Sequence, residues 1–167
     1  MQSSLVLPTL TLNLDRVRSN SRIMCQRCRQ SGIEPVGVTK LVRGEPQVAH
    51  AMLDGGIRLL ADSRLENLKR LTSLGVPRML LRLPGIHQAS EVVRHSEISL
   101  NSEAGVLRAL SMAALEQQRL HKVILMQDLG DLREGCFDEA ETLRLAHLVH
   151  SLPGLELEGI GANLACY

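Results

Sequence analysis

A chain of 167 residues with formal net charge +1, 44% hydrophobic and 22% charged, has the make-up of globular material, long enough to bury one sizeable core. Its charges are spread evenly and its only two aromatic residues are Phe137 and Tyr167, which excludes a basic, base-stacking surface for nucleic acid. No run reaches the roughly 20 apolar residues of a membrane span, and the opening Met-Gln-Ser-Ser-Leu-Val-Leu-Pro lacks the pattern of a secretory leader, so a cytoplasmic protein is expected.

The first helical pattern carries Cys25 and Cys28, two of four cysteines with Cys136 and Cys166. Their spacing is that of half a zinc site or a redox pair, but no second pair and no histidine at ligand spacing accompany it. Arg22, Arg27 and Arg29 surround the pair, a poor setting for a dication. No metal is expected, and the pair reads as ordinary helix cysteines in a reducing compartment.

A first strand is predicted over residues 36–40 (Val-Gly-Val-Thr-Lys) and a helix over 46–53, where Val48, Ala49, Met52 and Leu53 share a face. A strand over 57–61 leads to a helix over 66–74 marked by Leu68, Leu71 and Leu74. Strands over 78–83 and 98–100 follow, then a helix over 104–120 carrying Val106, Leu107, Leu110, Ala114 and Leu115. The last strands are read over 123–126 and 155–161, and Gly32, Gly55-Gly56, Gly75 and Gly154 stand where helices should stop.

Strand–helix alternation implies βαβ units and a parallel sheet, either doubly wound or a (β/α)8 barrel. No Gly-x-Gly-x-x-Gly follows a strand, so a dinucleotide site is unsupported. Polar residues gather at the predicted C-terminal strand ends: Lys40, Asp62-Ser63, Arg82, Asn101-Ser102, Asp128 with Arg133, and Asn163. In a barrel these ends share one mouth, where such folds carry their chemistry. Val36, Val38, Leu125 and Ile160 are expected to point into the barrel interior. Lys40 extends an amine from a rigid base, the group that condenses with an aldehyde, although a first exposed residue after a strand fits the same position.

Several segments carry a family resemblance in the correct order. Leu12-Asn-Leu-Asp15-Arg-Val-Arg-Ser-Asn20 resembles the entry of the alanine racemase superfamily, where a strand ending in Asp leads to a helix bearing Asn. Val36-Gly-Val-Thr-Lys40 is similar to its first barrel strand and cofactor lysine, Ala61-Asp-Ser-Arg-Leu-Glu-Asn67-Leu to its second strand, and Leu100-Asn-Ser-Glu103 to its fourth. Asp128-Leu-Gly-Asp-Leu-Arg133-Glu-Gly135 resembles its Asp-x-Gly-x-x-Arg-x-Gly stretch, and Gly159-Ile-Gly-Ala-Asn163-Leu-Ala-Cys-Tyr167 its sixth strand. The likeness is greatest to the ornithine racemase group.

The resemblance implies a TIM-type (β/α)8 barrel and a racemase interconverting D- and L-amino acids. Lys40 would hold pyridoxal 5'-phosphate as an aldimine and act as base on one face of Cα, Arg133 would face the cofactor rim or substrate carboxylate, and Asn163 would touch the cofactor. An amino acid is the expected small-molecule partner. The tyrosine that alanine racemases carry shortly after the lysine is absent from Leu41-Val42-Arg43-Gly44, which argues against alanine as substrate. About six of the family's eight strands are legible. Residues 1–167 are therefore expected to be the N-terminal part of the barrel, without its last strands or a C-terminal β domain, and to form a homodimer or associate with the remainder. A non-catalytic pyridoxal-phosphate-binding protein and an inactive fragment are the alternatives.

Overall fold

The computed structural model describes residues 10–164; the residues read for a leader, together with Cys166 and Tyr167, lie outside them. Helix α1 (Leu14–Gln30) opens the described chain, its first turn capped by Asn13, whose side chain accepts from the Arg16 amide at 2.9 Å. Asp15 therefore sits in the first turn of α1, where it favours the helix dipole, and does not end a strand as expected. Cys25, Cys28 and Cys136 are free thiols, and Cys25 is buried beside Ala49, Ile57, Leu60 and Leu71.

Six strands follow: β1 (Gly37–Val38), β2 (Leu60–Asp62), β3 (Arg78–Leu80), β4 (Ile98–Asn101), β5 (His121–Met126) and β6 (Leu155–Gly161). Between them lie α2 (Pro46–Asp54), α3 (Leu65–Arg70), α4 (Ala89–His95), α5 (Ala104–Glu116) and α6 (Glu139–Ser151). β1 is shorter than expected because Lys40 already begins a 3-10 turn (Lys40–Val42) that reverses through Arg43 and Gly44, both at positive φ. The helix read over 66–74 breaks into α3 and a 3-10 turn (Thr72–Leu74), and Gly75 at φ 65° ends it.

All strand pairs are parallel and the order is β1-β2-β3-β4-β5-β6. A doubly wound sheet reverses direction at a switch point. Here each strand adds to the same side of its predecessor, as in a barrel wall, and repeated crossovers of one hand then put the helices on a single face. On that face Leu60, Leu80, Val123 and Leu125 meet Leu68, Leu71, Leu107, Leu110, Leu145 and Val149, and each fully buried large side chain contributes about 1.5–3 kcal/mol. The opposite face carries Ala61, Met79, Ile98, Leu100 and Met126, with Val36 packed against them.

Two expected interior residues belong to the other face. Leu125 packs among Leu107, Cys136, Leu145 and Val149 under the helices, and Ile160, its partner across the β5–β6 ladder, shares that side. Strand alternation is counted from a covered neighbour, and the helices are what cover Val123 and Leu125. Among the described residues no helix is long and apolar enough to cross a membrane.

Candidate functional site

Parallel pairing brings the C-terminal strand ends to one rim. Lys40 stands there, exposed, with Thr39 between it and β1. The chain has three lysines, and two of them are held by carboxylates: Lys69 by Glu91, and Lys122 by Glu158 at 2.6 Å and Glu156 at 3.7 Å. The Glu158 hydrogen bond is the main reason the Lys122 ammonium is held above its ordinary pKa. Lys40 makes no ion pair among the described residues, so no carboxylate there holds its amine.

The loop from β5 to α6 explains its own motif. The Asp128 carboxylate accepts from the amides of Gly130 (2.7 Å) and Leu132 (3.3 Å), folding the segment back on itself. Gly135 closes it at φ 133°, where a Cβ would stand 2.6 Å from the Asp128 nitrogen, so a side chain has no room. The folded loop presents Arg133, with its side chain 53% exposed and 3.9 Å from both Asp131 and Glu134. Those pairings are long and the guanidinium keeps donors available for an anion. Asp131 is otherwise buried, and neither of its oxygens makes a hydrogen bond. Asn163, beyond β6, donates to Glu134 at 3.0 Å, which ties the end of β6 to the Arg133 loop.

The structure thus gathers Arg133 and Asn163 around Glu134. Among the described residues no hydrogen bond or ion pair joins either to Lys40. On the β1–β3 side, Arg64 borders two cavities, one of about 260 Å³ that also meets Ser63, Arg82 and Gln88, and one of about 470 Å³ that meets Arg43 and Asn67. Arg43, Arg64 and Arg82 make no ion pairs among the described residues, and with Glu66 the one carboxylate bordering both cavities, cationic groups outnumber it three to one on this side of the rim.

Two strand-end residues read as facing the mouth do not. Asp62 is fully buried and turned toward α3, where it accepts from Asn67. Asn101 is 1% exposed and donates to Ser99, which in turn meets His121 Nε2 at 2.8 Å under the helical layer. Sequence reasoning missed Thr39 and Asn67 as partners of Asp62. The signal was there in the polar residue directly before the lysine and in the five-residue Asp–Asn spacing across a strand-to-helix turn.

A profile of the alanine racemase N-terminal domain matches residues 12–167. The chain belongs to that family. It is 35% identical to the ornithine racemase of Acetoanaerobium sticklandii over 160 residues, covering 96% of this chain and 45% of that protein. Identity to the lysine racemase of Thermotoga maritima is 36% over 165 residues, covering 98% and 46%. The fold matches the alanine racemase of Clostridium difficile with a TM-score of 0.78 at 18% identity, over 98% of this chain and 44% of that one. This alanine racemase N-terminal domain therefore spans about 45% of the curated relatives it matches. Family members depend on pyridoxal phosphate, and an unpaired lysine amine beside arginines free to meet anions suits that aldehyde and its phosphate.

Proposed function

We propose that the protein is a pyridoxal-phosphate-dependent amino-acid racemase of the ornithine and lysine type, with Lys40 as the residue that carries the cofactor. The observation that carries this reading is that Lys40, of three lysines, is the one without a carboxylate partner among the described residues, in a chain similar to ornithine and lysine racemases over nearly its whole length. Pyridoxal phosphate, when bound, spreads the negative charge that develops at the substrate Cα. Lys40 holds the group and exchanges a proton with one face of Cα. Arg133 binds the substrate carboxylate or the cofactor rim, and Asn163, through Glu134, steadies the Arg133 loop beside the cofactor.

The edges of β1 and β6 are unpaired among the described residues and favour pairing with further barrel strands or a second copy, in keeping with a dimer. The free thiols suit a cytoplasmic setting. The test is optical rotation of L-ornithine, L-lysine and L-alanine with the protein and cofactor, beside borohydride trapping and peptide mapping. Label on Lys40 is expected, and turnover of the basic amino acids from the full-length protein. Label on Lys69 or Lys122 with Lys40 untouched overturns the reading; label on Lys40 without turnover by the full-length protein indicates a non-catalytic binding protein, and loss of turnover in the 167-residue chain alone an inactive fragment.

A further inference from the structure

The turn bearing Lys40 is held at its start by a buried carboxylate and backed at its far end by Asn67, a partner of that carboxylate. Thr39, directly before the lysine, is fully buried, and its hydroxyl donates to Asp62 at 2.8 Å across 23 residues of sequence. The other Asp62 oxygen accepts from the Arg64 amide at 3.0 Å and from the Asn67 side chain at 2.9 Å. Asn67 in turn backs the far end of the turn: a Cβ on Gly44, at φ 63°, would lie 2.7 Å from the Asn67 carbonyl oxygen and 2.9 Å from its Cβ. The amides of Val42 and Gly44 both return to the Thr39 carbonyl, at 3.1 and 3.2 Å. From the surface of α3, Arg70 donates to the Arg43 carbonyl at 2.8 Å and meets Glu45 at 3.2 Å.

Burying a carboxylate is costly unless its oxygens are satisfied, and here all three donors come from the turn or from the segment that backs it. An apolar residue in its place would fill the space and leave the turn free to shift. We propose that Asp62 is a positioning residue that fixes the backbone of Lys40 through Thr39 and Asn67, so that the two runs Gly-Val-Thr-Lys-Leu-Val-Arg-Gly and Ala-Asp-Ser-Arg-Leu-Glu-Asn form one device. The inference rests on the reading of Lys40 as the cofactor lysine. Asp62 does not reach the reacting atoms; it removes freedom from the base of the lysine side chain, so the amine meets its aldehyde from one place.

The experiment measures the rates at which pyridoxal phosphate, trapped by borohydride, labels Lys40, Lys69 and Lys122, with circular dichroism on each variant. The ion-paired Lys69 and Lys122 are internal references. Thr39→Val and Asp62→Asn are expected to slow Lys40 by about five- to tenfold, the loss of one buried hydrogen bond, while the references hold steady. Thr39→Ser should restore the rate to near wild type. Asn67→Ser, a milder change that removes one side-chain donor to Asp62, should slow Lys40 by about twofold and decides the matter should Thr39→Val and Asp62→Asn fail to fold. An unchanged Lys40 rate in the folded variants, or equal changes at all three lysines, overturns the positioning role alone. A wild-type protein that labels Lys40 no faster than the others overturns the cofactor-lysine reading itself, and the positioning role with it.

Discussion

His121 should make the fold sensitive to mild acid. It opens β5, is 1% exposed, and places Nε2 2.8 Å from the Ser99 hydroxyl beneath the helices. Burial pushes its pKa from 6.5 down to about 4; the Ser96 backbone and Glu97 offset part of this, and Arg119 adds to it. The folded-state value is the depressed one, so between about pH 6.5 and 4 the unfolded chain binds one more proton than the native one. This contribution to stability is complete above about pH 6.5 and is lost as the pH falls toward 4, at about 1.4 kcal/mol per pH unit, roughly 3 kcal/mol in all. That is a large share of the 5–15 kcal/mol typical of a domain. Urea unfolding of wild type and His121→Gln at steps from pH 7 to pH 4 isolates it, because other groups titrate alike in both. The wild type should lose roughly 3 kcal/mol more than the variant across the window. Parallel stability curves for the two proteins would refute a buried, neutral imidazole.

Gly135→Ala should destabilise the protein by about 1–3 kcal/mol in urea unfolding, since φ 133° and the Asp128 amide leave no place for a methyl group. The same change should weaken whatever Arg133 binds, because the loop that presents it no longer closes. Arg133→Ala should move the urea midpoint little, its two ion pairs being long and half exposed and worth about 0–1 kcal/mol. In an activity assay of the full-length protein with its cofactor the same variant should lose kcat/KM, and unchanged kinetics would make Arg133 a surface ion-pair residue.

The sequence by itself determined the six strand regions, the parallel α/β class and the placing of Lys40, Arg133 and Asn163 at or after strand ends, because these depend on local periodicity and on turn chemistry such as Gly75 and Gly154. It also carried the family, since the motif order survives without contacts. Periodicity left a barrel and a doubly wound sheet both open, because crossovers leave no trace in the pattern of any one strand; the family resemblance implied the barrel, and the strand order of the tertiary structure bears it out. Only packing showed that Leu125 faces the helices, because alternation gives a strand's two faces but not which one its neighbours cover. For the same reason Asp62 and Asn101 read as mouth residues from their strand ends, yet the fold turns both beneath its helical layer. A hydrogen bond spanning 23 residues, from Thr39 to Asp62, has no local signature, so the support beneath Lys40 becomes legible only once β1 and β2 are side by side.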